Sequence, residues 1–112
     1  MLPQALTQEI SQLEANLCSA FSDATRIMIL YALNDKPRNV TELANGLGVT
    51  QPTISRHLKV LRDHGLVQTT RQGVTITYSL VDDRLIQSLY ILLAVLHYIL
   101  TSKANLVIDA QL

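Results

Sequence analysis

The stretch TQPTISRHLKVLRDHGLV, residues 50–67, sets Gln51, Thr53, Ser55, Arg56 and Lys59 on one face of a helical register and Ile54, Leu58 and Leu61 on the other. The polar face has the chemistry to read a nucleic acid. Gln51 can donate and accept together, as the major-groove edge of adenine requires, and Arg56, one turn later, can make a bidentate contact to guanine or grip a phosphate. Thr53 and Ser55 offer hydroxyls to base or backbone, and Lys59 suits a phosphate. His57 borders the apolar face, so an interior role weighs at least as much as contact with DNA. The competing reading is an ordinary solvated helix surface, and for Lys36, Arg38 and Arg62 taken singly the two weigh evenly.

Charge qualifies this picture without cancelling it. The 112 residues carry nine basic and nine acidic side chains, a net charge of zero, so long-range attraction to a polyanion is weak. Between Lys36 and Arg71, however, six basic residues (Lys36, Arg38, Arg56, Lys59, Arg62 and Arg71) face only Glu42 and Asp63, a local surplus of four positive charges. Phosphate contacts are therefore expected at the groove and not over the whole surface.

The elements that must position this helix follow from pattern. Leu6, Ile10, Leu13 and Leu17 recur at helical spacing and mark an amphipathic first helix. Ser22 and Asp23 can cap a second helix that turns Ile27, Leu30 and Leu33 inward and stops before Pro37. Asn39 and Glu42 have capping-box spacing at the start of a third, Gly48 supplies the turn after it, and Thr50 caps a fourth that ends near Gly65. Two short helices about a tight Gly-containing turn, residues 39–64, form a helix-turn-helix. Residues 66–80, LVQTTRQGVTITYSL, alternate about Gln72-Gly73 and read as a two-stranded hairpin. Arg71 and Gln72 at its tip are placed to reach backbone or minor groove.

The last helix, expected over 82–104, is apolar nearly all round. Leu89, Leu92, Leu93 and Leu96 lie on faces that one small domain cannot cover, so with Leu6, Ile10, Leu13 and Leu17 they are expected to bury against a second copy. The segment MLPQALTQEI lacks the charge and apolar core of a signal peptide, and the run 85–100 is broken by Gln87, Ser88 and His97, so no membrane span is expected and the chain reads as soluble and cytoplasmic. The fold expectation is a single domain over 1–112, mainly α with a small β-hairpin.

The segments FSDATRIMILYAL, VTELANGLGVTQPTISRHLKVLRDHGLV and RQGVTITYSL, in this order of helices, hairpin and long helix, resemble the ArsR/SmtB family of winged helix-turn-helix repressors. The likeness covers 17–80 closely and the terminal helices in general character; Ala24 stands where the family usually has proline. It implies a homodimer binding an inverted-repeat DNA operator, with contacts at Gln51, Pro52, Ser55 and Arg56. It also implies where a metal sensor would hold its ion. One family site would fall on Asn39 and Thr41, the other, if His97 is its later histidine, on Arg84, Ile86 and Leu100. None of these can assemble a tetrahedral set of S and N donors, so no metal or other cofactor is expected. The resemblance puts Cys18 where an apolar side chain is usual, which favours buried filler over a redox thiol. His97 alone in an apolar stripe reads first as a core or interface histidine.

No nucleophile with base and orienting group is apparent, which argues against an enzyme. Two other readings stand beside the plain DNA-binding repressor. One is a metal- or thiol-responsive repressor built on His97 or Cys18; the other is a winged-helix interaction module that has lost DNA binding.

Overall fold

Side-chain caps decide where the central helices begin. Asp23 accepts from the backbone N–H of Thr25 at 2.8 Å and of Arg26 at 3.3 Å, which starts α3 (Ala24–Asp35) despite the missing proline. At α4 (Val40–Leu47) the expected capping box is complete. Asn39 Oδ1 accepts from the Glu42 N–H at 2.8 Å, and Glu42 Oε1 accepts from the Asn39 N–H at 3.0 Å. Thr50 occupies the N-cap position of α5 (Gln51–Asp63) but makes no cap bond; its hydroxyl donates instead to Thr53 Oγ1 at 2.9 Å.

This computed structural model describes the backbone of residues 1–111 and side chains through 103. The remaining elements are α1 (Gln4–Glu9), a π-helical turn (Ile10–Glu14), α2 (Ala15–Ala20), β1 (Val67–Gln72), β2 (Thr75–Leu80) and α6 (Arg84–Gln111). They divide into two compact units, Met1–Val81 and Asp82–Leu112, where the sequence reads as one domain.

In the first unit, α3 supplies Ile29, Leu30 and Leu33, α4 supplies Leu43 and Ala44, α5 supplies Ile54, Leu58 and Leu61, and Val67 closes the core from β1. Ile27, expected inside, is half-buried, and Ile29 takes the interior place, because α3 is covered on more than one side. Gly48 sits at φ +66° in the left-handed region and ends α4, with the Val49 N–H returning to the Ala44 carbonyl at 3.1 Å. That turn sets α5 across α4.

The wing is antiparallel, with Val67 opposite Leu80 and Gln72 opposite Thr75. Its two-residue turn is therefore Gly73-Val74, one position later than the alternation suggests. Gly73, at φ +63°, holds the first central position, where a type II′ turn needs glycine. A further pairing leaves no mark in the sequence pattern: Arg38 exchanges both backbone hydrogen bonds with Tyr78, at 3.0 and 2.8 Å, so β2 is bridged on its other edge. On the first helix, Leu6, Ile10 and Leu13 are exposed and Leu17 is half-buried; Cys18 is exposed in the chain, which corrects the expectation of buried filler.

In the second unit, Asp82 starts α6 by accepting the Arg84 N–H at 2.9 Å, and the Arg84 guanidinium folds back on the same carboxylate at 2.6 Å. These two bonds, side chain first, draw the Asp82 carboxyl down to about 2. Ile86 and Leu89 are buried, so Leu89 is not among the apolar side chains left open in the single chain. Leu92, Leu93, Leu96 and six further large apolar residues between Tyr90 and Leu100 are exposed. The helix runs past the expected end at 104, to Gln111. By length and composition its segment Arg84–Lys103 is sufficient to cross a membrane, contrary to the expectation that the run falls short.

Leu58 has no exposed area, so Leu58→Ala should destabilise the protein by about 2–5 kcal/mol. Urea denaturation followed by circular dichroism measures this, with Arg56→Ala, two positions away on the exposed side, expected within about 0.5 kcal/mol of the parent.

Candidate nucleic-acid interface

α5 divides its residues as the spacing requires. Ile54, Leu58 and Leu61 have no exposed area, while Gln51, Pro52, Ser55, Arg56 and Lys59 are exposed and Thr53 is half-buried. With one side closed, the open side is held at fixed positions. Arg56 has no intrachain hydrogen-bond or ion-pair partner among the described residues, so its whole guanidinium is available to a ligand. Lys59 is bound to Asp63 at 2.9 Å, and this hydrogen bond, foremost among several causes, lowers the Asp63 carboxyl. A phosphate reaching Lys59 must compete with that carboxylate. On the wing, Arg71 Nε donates to the Gly73 carbonyl at 2.9 Å, leaving its terminal nitrogens outward beside exposed Gln72 and Val74.

Two sequence assignments change. Arg38 is not a free cation: its Nε donates to the Ala32 carbonyl at 3.1 Å and its terminal nitrogen pairs with Asp35 at 2.6 Å. It ties the end of α3 to the base of the wing. His57 turns inward, its side chain 14% exposed, and receives Arg26 Nη1 on Nδ1 at 3.3 Å. An arginine can only donate, so Nδ1 accepts and the ring hydrogen sits on Nε2, 3.8 Å from Asp23 Oδ1. His57 therefore braces the reading helix from behind and does not share its outer face.

Arg26 went unremarked in the sequence, although an arginine just past the cap of an otherwise apolar helix is a legible anomaly. Its Nε donates to the Ala20 carbonyl at 2.8 Å, and its terminal nitrogens reach Ser22 Oγ at 3.3 Å and the Ser19 carbonyl at 3.5 Å, besides His57. One side chain thus joins the end of α2, the start of α3 and the middle of α5. Burial pushes the Asp23 carboxyl up, but the N–H groups of Arg26 and Thr25, with the Arg26 guanidinium nearby, outweigh it, leaving it below the ordinary value. A second unforeseen contact lies at the front, where Gln51 Nε2 donates to Thr41 Oγ1 at 3.3 Å. Among the described residues no three His, Cys, Asp or Glu side chains cluster as metal ligands would. Asn39 and Thr41 are occupied with Glu42 and Gln51 respectively.

Comparison with known proteins agrees with this layout. A family model described as "Bacterial regulatory protein, arsR family" matches residues 23–69. The HTH-type transcriptional regulator KmtR of Mycobacterium tuberculosis is 36% identical over 85 residues, covering 76% of this chain and 65% of that protein. The chain spans less than two thirds of the length of the first curated relatives it matches, 65% and 62% for KmtR and NmtR. The crystal structure of NolR from Sinorhizobium fredii matches with a TM-score of 0.74 at 33% identity, over 85% of this chain and 96% of that one. A solution structure from Mycobacterium bovis, described as a homodimeric winged helix-turn-helix DNA-binding domain, matches with a TM-score of 0.74 over 88% of this chain and 91% of that one. At 23% identity it is a likeness of fold.

The depressed Asp23 carboxyl fixes the sign of one pH effect. Its stabilising contribution is complete above the ordinary value of 3.8 and is lost as pH falls through the lower folded value. The gap in urea midpoint between the parent and Asp23→Ala should be constant from pH 7 to 5 and narrow below 3.8. A gap that widened on acidification would contradict this pairing.

Proposed function

The chain belongs to the arsR family of bacterial regulatory proteins, and from that premise we propose that it is a sequence-specific DNA-binding transcriptional repressor acting as a homodimer in the cytoplasm. The observation that carries the reading is the two-sided α5. Gln51, Pro52, Ser55 and Arg56 stand exposed at its N-terminal half over a fully closed apolar back, the arrangement in which a second helix enters the major groove. Thr53 adds a hydroxyl, Lys59 a phosphate contact, and Arg71 and Gln72 a contact beyond the groove edge. His57 serves by holding the helix.

Two chains pair through the exposed leucines of the first helix and of α6. Leu6, Ile10 and Leu13 in the first unit and Leu92, Leu93 and Leu96 in the second each stand exposed in the single chain, two apolar faces that call for cover, and the M. bovis relative is described as homodimeric. A second copy covers α6 in preference to lipid: Gln87 and His97 lie along it and would need partners inside a bilayer. A dimer with two reading helices suits an inverted-repeat operator with half-sites about 34–36 Å apart. The familiar family metal positions take no part, since Asn39, Thr41, Arg84, Ile86 and Leu100 supply no thiolate or imidazole. No observation favours an interaction module without DNA binding, because the reading face is intact.

Sedimentation without detergent at micromolar concentration should give twice the chain mass of 12.4 kDa; a monomer, or material recovered only with detergent, would refute the pairing. On DNA selected from random sequence, Gln51→Ala and Arg56→Ala should each lose about 1–3 kcal/mol and relax base preference. Lys59→Ala should weaken all sequences alike and flatten the salt dependence. If the double variant kept the parent's ratio of selected to random binding, the reading residues would be wrongly assigned.

A further inference from the structure

We propose that Thr41 is a positioning residue for the base-reading amide of Gln51, holding it so that it selects an A·T pair at one position of the bound sequence. The inference rests on the DNA-reading function above and names a determinant of its specificity. The observation behind it is a hydrogen bond across the turn of the two reading helices, from Gln51 Nε2 to Thr41 Oγ1 at 3.3 Å.

Both ends of that bond stand on fixed backbone. Thr41 is the second residue of α4, whose first turn is locked by the reciprocal Asn39–Glu42 cap. Gln51 is the first residue of α5. The left-handed Gly48 sets the angle between the two helices, so the ten-residue separation closes to hydrogen-bond distance. Thr53, the other hydroxyl near the amide, is already engaged by Thr50 at 2.9 Å. Both residues are exposed and neither enters the core. The bond therefore does little for folding and acts on where the amide points.

The amide's valences make the consequence specific. Glutamine carries two N–H donors on Nε2 and an acceptor oxygen beside them. With one N–H given to Thr41, one N–H and Oε1 remain side by side. Adenine presents the complement in the major groove, its N7 accepting and its N6 amino group donating. Guanine offers two acceptors there, so it leaves Oε1 unpaired. An unanchored Gln51 would sample many rotamers and lose part of this discrimination on ordering.

The test is selection of bound duplexes from a randomised library by the parent, Gln51→Ala, Thr41→Val and Thr41→Ser, each first checked for an unchanged melting temperature. The parent should enrich an A·T pair at a position where Gln51→Ala loses the preference. At that same position Thr41→Val should cut the preference about fivefold or more while leaving other positions and the salt slope unchanged, and Thr41→Ser should retain it. An enriched motif that Thr41→Val reads as the parent does would overturn this inference and leave the DNA-reading function standing. Equal relaxation at every position would also overturn it, by showing a general loosening of the helix. A parent that enriches no sequence would overturn the DNA-reading function and the positioning role together.

Discussion

The closed back of α5 is the constraint on which the rest of the molecule depends. A thirteen-residue helix can keep a glutamine, a serine and an arginine at fixed spacing in water only if something holds its other side. Ile54, Leu58 and Leu61, all without exposed area, do so, each contributing about 1.5–3 kcal/mol by burial. Hydrophobic burial is not directional, so it fixes depth better than rotation. Rotation is set by polar contacts at two places, the Arg26–His57 bond behind the helix and the Gly48 turn before it. Apolar packing supplies the strength and hydrogen bonding the pose.

The electrostatic arrangement follows a similar division. A chain of zero net charge does not bind a polyanion by bulk attraction, so its cations matter by place and by freedom. Arg38 is consumed in joining α3 to the wing and Lys59 is half-committed to Asp63. Arg56 is uncommitted and sits where the groove would be. Of the six cations read from the sequence between Lys36 and Arg71, partners within the chain thus leave Arg56, Arg62, Arg71 and Lys36 as those a phosphate meets without first displacing a carboxylate.

Periodicity and caps made most of the fold legible. The capping box at Asn39 and Glu42, the turn at Gly48 and the alternation of the wing are local signals, and the structure places each within a residue of its expected position. Two local signals misled. Thr50 is the right kind of residue at the right position, yet its hydroxyl donates to Thr53 Oγ1 and accepts no first-turn N–H, an alternative between two local bonds that no propensity decides. Ile27 and Ile29 differ by two positions on a helix apolar on several faces, and which one is interior depends on neighbours that are distant in sequence. The contacts that escaped the sequence, Arg26 to His57, Gln51 to Thr41 and Arg38 to Tyr78, span 31, 10 and 40 residues. A single sequence carries no signal for pairs of that kind. Cys18 was read as buried from the resemblance, which puts an apolar side chain at its position, but the face it occupies is left open in one chain.

The antiparallel bridge between Arg38 and Tyr78 has a mechanical meaning. A hairpin on two strands would be hinged at its root and free to sway, and every molecule of DNA it met would have to still it first. With its inner strand stitched to the segment that also begins α4, the hairpin's root moves only if that segment moves. The same stitch occupies the hydrogen-bonding groups at the base of the β2 edge, where an unpaired strand would otherwise invite a neighbouring chain to add on. A loop residue between two helices thereby acts as both splint and stopper.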